Sequence, residues 1–181
     1  MTLAFAAVNS PDLNASWDWF EFQSEMLAAA RSRALHGHAP AGPAPFEQRL
    51  LGLTPEEAAR FFEAQKRHLD LLCMLDLLTT TEAILRVDFR DRVEQRKKDP
   101  LSRKYRELNK RKSRLHLDED ILEALKDTGI RAQAISGFRG ALRLRHWLAH
   151  GRYWHPKLGR GYAPNDVFDI VRALLDEIPA S

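Results

Sequence analysis

Apolar residues recur at helical spacing along almost the whole chain, and no stretch alternates convincingly as a half-buried strand does. This pattern points to an all-α fold. Its strongest instance opens at Thr54-Pro55-Glu56-Glu57. Thr54 can cap the first turn, Pro55 suits the first helical position, and Glu57 completes a capping box. The helix that follows carries Phe61, Leu69, Leu72, Cys73, Leu75 and Ile84 and can run beyond Val87. Asp99-Pro100 stops it, because the residue before a proline disfavours the helical region.

The other elements read in the same way. Ser16–Leu35 forms a first helix with Trp17, Phe20 and Leu27 on one side. Residues 36–45 (HGHAPAGPAP) make a loop, since Pro and Gly interrupt any period. A short basic helix spans Leu101–Lys112, and Asp118 is expected to cap another over Glu119–Lys126 that Gly129 terminates. The next helix, Ile130–His150, turns Ile135, Phe138, Leu142 and Ala149 to the core, with Gly151 just past its end. A loop rich in Gly, Pro and aromatics covers Arg152–Pro164. Asn165–Ile178 closes the chain with Val167, Ile170, Val171, Leu174 and Leu175 inward. The expected architecture is a helical bundle with an additional N-terminal helix. Residues 1–50 supply that helix and a Pro/Gly loop that pack on or extend the bundle; residues 51–181 form the main helical domain of one compact unit.

Composition narrows the function classes. At 181 residues and 44% hydrophobic, the chain can bury a core as one domain. No apolar run approaches the roughly 18 residues of a membrane span. Met1–Val8 has no basic segment and is too short for a typical signal peptide. Cys73 is the single cysteine and is expected to pack as a small hydrophobe, which fits a reducing cytoplasm. The net charge of +3 is unevenly spread. Arg86–Arg114 holds 13 Lys/Arg against 5 Asp/Glu, a local +8 that leaves −5 for the rest. Such a segment is either a polyanion contact or a solvated, salt-bridged helix face.

The chemistry concentrates in Arg145-His-Trp-Leu-Ala-His-Gly-Arg-Tyr-Trp154. A guanidinium presents a planar fork of donors to a phosphate, and an imidazole moves protons near neutral pH. On a helix His146 and His150, four apart, point the same way, whereas Arg145 lies beside that face. A structural reading stands alongside. Histidine is favoured at a helix C-terminus by the dipole, and Arg145 can pair with any nearby carboxylate. A metal reading is weak: His146 and His150 have no carboxylate between them, His155 follows five residues on, and His36 and His38 have no companions.

The segment Arg145–His150 resembles the signature of the HEPN family, an R-x4–6-H motif with a polar residue after the arginine, here His146. The Ala-His-Gly ending and the closing helix VFDIVRALL are similar to that family, and Glu82 and Arg86 resemble its secondary E-x3-K/R feature. The helical layout carries the resemblance over roughly Leu53–Ile178; residues 1–50 lie outside it. The resemblance implies an endoribonuclease that needs no metal or cofactor. In it the RNA 2′-hydroxyl attacks its own phosphate to leave a 2′,3′-cyclic phosphate and a 5′-hydroxyl. His150 is then the general acid/base, Arg145 stabilises the phosphoryl oxygens, and His146 positions the phosphate or assists proton transfer. Glu82 and Arg86 act in catalysis or orient the site. The resemblance also implies a homodimer with the cleft on the twofold axis, and a toxin-like or antiviral role with an antitoxin protein as a possible partner. Arg96, Lys97, Lys98, Arg103, Lys104, Arg152, Tyr153 and Trp154 are the candidate RNA contacts. Tyr153, Trp154 and Trp147 serve either as core or interface aromatics or as base-stacking platforms. Two alternatives remain: a non-catalytic module binding RNA, a nucleotide or a protein, and a regulatory helper whose partner carries the chemistry.

Overall fold

The computed structural model describes residues 10–36, 50–112, 114–152 and 155–179. The protein is all-α: α1 (Leu13–His36), α2 (Pro55–Glu94), α3 (Pro100–Arg111), a π-helical turn (Leu117–Leu122) running into α4 (Glu123–Asp127), α5 (Ala132–Ala149) and α6 (Pro164–Leu175). No strand occurs among the described residues. None of these helices is long and apolar enough to cross a membrane. The chain divides into two compact units: Asn14–Cys73, and Met74 onward together with the described residues up to Leu13.

In the smaller unit the capping box forms as expected. The Thr54 amide donates to Glu57 Oε2 at 2.8 Å, and the Glu57 amide donates to Thr54 Oγ1 at 3.2 Å. Phe20, Ala58 and Phe62 are buried. The Phe20 ring lies 5.3 Å from that of Trp17, with Lys66 Nζ 5.2 Å from its centroid. Trp19, Phe22 and Met26 stay exposed on the opposite side of α1. Cys73 is buried, as a small hydrophobe would be.

In the larger unit α2 buries Met74, Leu77, Leu78, Thr81, Leu85 and Phe89, a stripe at helical spacing. The Thr81 hydroxyl is satisfied by the Leu77 carbonyl at 2.7 Å. Arg92, one further turn along, is 1% exposed. It is held by both Asp88 oxygens at 2.8 Å, by Asp99 at 3.2 Å and by the Pro179 carbonyl. Asp99 also caps α3, accepting from the Ser102 amide at 2.9 Å. One carboxylate thus starts α3 and neutralises a buried arginine. Burial pushes Asp88 above the ordinary carboxylate range despite the Arg92 hydrogen bond and charge.

Two expectations need correcting. Asp118 caps no helix. The residue preceding the π turn is His116, whose carbonyl accepts from both the Asp120 and Ile121 amides. Buried Asp120 reaches back to the His116 amide at 2.8 Å and pairs with Lys112, and these bonds hold its carboxyl below the usual range. The wider turn therefore satisfies a buried acid that a regular start at Asp118 would leave otherwise placed. On α5, Ile135 and Phe138 are buried as expected, but Leu142 is only half-buried and Ala149 is exposed. Ala141, Leu144 and Leu148 complete the inward face instead. The stripe is rotated because α5 packs against α6, which buries Val167, Val171 and Leu174.

Candidate functional site

α5 ends where the sequence predicts. The His150 amide donates to the His146 carbonyl, and Gly151 takes φ +85°, a left-handed conformation that glycine adopts without a Cβ penalty. Arg152 follows with φ +58°, exposed, in a region that is unusual for a side chain of its size.

The helix turns its polar residues in two directions. Arg145 faces α2, where one of its terminal nitrogens lies 3.0 Å from Glu82 Oε2. The other Glu82 oxygen accepts from Arg86 Nε at 2.9 Å and from Arg86 NH2 at 2.8 Å. Two guanidinium groups thus share one carboxylate, and the cluster keeps a net charge of +1. Arg145 Nε is buried with no hydrogen-bond partner among the described residues, a polar group whose desolvation they leave uncompensated. The structure thus brings the Glu82/Arg86 pair against Arg145.

On another face His146 and His150 are both exposed, with ring centroids 4.3 Å apart. Residues 145 and 150 stand about 140° apart around a helix, so the carboxylate-held arginine and the two imidazoles are on different sides of α5. Beside His146 opens a cleft of about 400 Å³ whose lining includes Arg139, Arg143, Lys157, Leu142, Pro156 and Leu158. Arg139 is fixed there by Asp118 and, at 2.6 Å, by Glu123. These bonds raise its already high pKa, the Glu123 bond first, and hold Glu123 below the usual carboxylate range.

The expected RNA contacts fall into three groups. Arg96 and Lys98 are exposed and Lys97 is half-buried; none has an ion-pair partner among the described residues. Arg103 instead donates to the Lys98 carbonyl at 2.9 Å, and Lys104 pairs with Asp127 at 3.0 Å. Tyr153 and Trp154 lie outside the described residues. Half-buried Trp147 has a partner within the fold.

Sequence reasoning missed Arg143, Lys157 and Arg139. The signal was present for two of them: Arg139, Arg143, His146 and His150 follow at i, i+4, i+7 and i+11, one face of a helix. Nothing local marked Lys157, which reaches the cleft from the loop. Among the described residues no group of three or more His, Cys, Asp or Glu is arranged to share a metal ion. No family model, curated protein or solved structure matches this chain.

Proposed function

We propose that this protein is an endoribonuclease of HEPN type that cleaves RNA without a metal, with Arg145 and His150 as its principal catalytic residues. The observation that carries the reading is the end of α5. Arg145 is anchored to α2 through Glu82 and Arg86, and His146 and His150 sit in ring contact beside a cationic cleft. The chemistry needs what these groups supply. One imidazole takes the proton of the 2′-hydroxyl as its oxygen attacks phosphorus. The P–O5′ bond breaks, and the departing oxygen receives a proton from an imidazole. A guanidinium stabilises the charge that builds on the phosphoryl oxygens.

Arg145 and His150 diverge around α5, so a composite site from two copies is the arrangement that unites them. In a twofold dimer the arginine of one chain meets the histidine of the other. A defence or toxin role with an antitoxin partner belongs to the same proposal and rests on the family resemblance alone; cytoplasmic residence is proposed from the single cysteine, Cys73.

A second reading is favoured by one observation. Glu82 already neutralises Arg145 in part, as a purely structural ion pair would. On that reading the chain binds RNA without cutting it. Incubating the purified protein with structured RNA in excess EDTA separates the two. The nuclease reading expects fragments ending in 2′,3′-cyclic phosphate and no cutting of the all-2′-deoxy strand. Intact RNA across a wide range of substrates leaves the binding module.

A further inference from the structure

Neither Arg143 nor Lys157 makes an ion pair or hydrogen bond among the described residues, yet both line the same cleft with His146. Arg139, by contrast, is spoken for by Asp118 and Glu123. The remaining lining is Leu142, Pro156 and Leu158, with Asp118 as its one carboxylate, already paired with Arg139. Cationic groups beside apolar side chains suit one ligand class: a nucleotide, phosphate to the charges and base or ribose to the apolar surface. A volume of about 400 Å³ is of the size that such a unit occupies.

We infer that the Arg143–Lys157 cleft holds a nucleotide flanking the scissile phosphate of a single-stranded RNA. This inference rests on the nuclease reading and adds a substrate subsite to it. His146 links the two places, lining the cleft while its ring contacts His150. Arg143, His146 and His150 lie along one face of α5, so a strand whose phosphate is gripped at Arg143 and Lys157 continues along the helix towards the histidine pair. A single strand fits better than a duplex, because the apolar walls serve only a base that is unstacked from its neighbours. Arg143 and Lys157 position the strand; neither touches the reacting atoms.

The test is fluorescence anisotropy with a short, labelled, single-stranded 2′-O-methyl RNA, which lacks the attacking hydroxyl and cannot be cut. The Arg143→Ala/Lys157→Ala double variant is expected to bind about 10- to 100-fold more weakly than wild type. Its plot of log affinity against log salt should be shallower by about 1.4, the value for two lost single-strand phosphate contacts. The Arg143→Lys/Lys157→Arg variant should restore most of the binding, which a folding defect would not. Unchanged affinity and salt slope in the alanine variant overturn the subsite. So does adenosine monophosphate binding as tightly as the strand, since that describes a free-nucleotide pocket. Cleavage of unmodified RNA is read in parallel. If wild type never cuts but the alanine variant loses its hold on the strand, the subsite stands and the nuclease reading falls. If wild type and the alanine variant cut and bind alike, the nuclease stands and the subsite falls.

Discussion

Glu82 sets what Arg145 can do. Its two oxygens divide between Arg86 and Arg145, so the guanidinium at the end of α5 is oriented yet only partly neutralised. Glu82→Gln leaves two like charges with a weak acceptor between them. The expected loss is about 1–3 kcal/mol, towards the lower end because Arg86 is 46% exposed. In the proposed mechanism the same change lowers kcat and leaves KM for RNA near its wild-type value. Urea unfolding read beside steady-state cleavage checks this; an unchanged kcat would make the carboxylate purely structural. The contact between His146 and His150 was legible from their i, i+4 spacing. The partner of Arg145 was not. Glu82 and Arg86 could be paired by their i, i+4 spacing, but which turn of α2 faces α5 is decided by tertiary packing. Arg92 was hidden more thoroughly: it reads as one more cation in a basic run, and burial with two aspartates makes it part of the core.

At the scale of elements, the charged residues split into those that build helices and those that remain available. Asp99 is the most heavily used builder, capping α3 and pairing with Arg92. Burial pushes its carboxyl up, but the hydrogen bonds from Ser102 and the Arg92 charge outweigh this and hold it below its ordinary value of 3.8. A depressed folded pKa means that the carboxylate's contribution is complete above about 3.8 and is lost as pH falls through the folded value. Asp99→Ala should therefore cost about 2–4 kcal/mol near neutral pH, from the cap and from a buried arginine stripped of one partner. The deficit should shrink below pH 4, where the wild-type carboxyl itself protonates. Chemical denaturation of both proteins across pH 3–7 measures it, and a deficit that stays constant would contradict the assignment. Helix boundaries were readable where the signal is local, as in the Thr54 capping box and at Gly151, whereas the Asp99 cap of α3 was not foreseen. The π turn was not readable either, because its register depends on Asp120 finding Lys112 and the His116 amide at once. The basic segment Arg86–Arg114 likewise proved mixed. Arg92, Arg103, Lys104 and Arg106 are engaged within the fold, whereas Arg96 and Lys98 are exposed and have no ion-pair partner among the described residues.

For the whole molecule, the central question is whether one chain or two make the site. The all-α class followed directly from the helical period, since neither alternation nor turn-rich spacing offered a sheet. The divergence of Arg145 from His150 predicts that catalysis needs two 20.8-kDa chains. Arg145→Ala and His150→Ala should each be inactive alone. Mixed and re-equilibrated in equal amounts, they should recover about a quarter of wild-type activity, because half of the dimers are mixed and each of these rebuilds one of its two sites. A site contained within one chain would recover nothing. The most direct test of the account is single-turnover cleavage of structured RNA in excess EDTA by wild type, His150→Ala and Arg145→Ala, with folding and mass checked for each. The account predicts a cyclic-phosphate product from wild type, and a fall of about 10² to 10⁴ in rate for His150→Ala with a comparable loss for Arg145→Ala. Cutting that persists at the wild-type rate in both variants would contradict it.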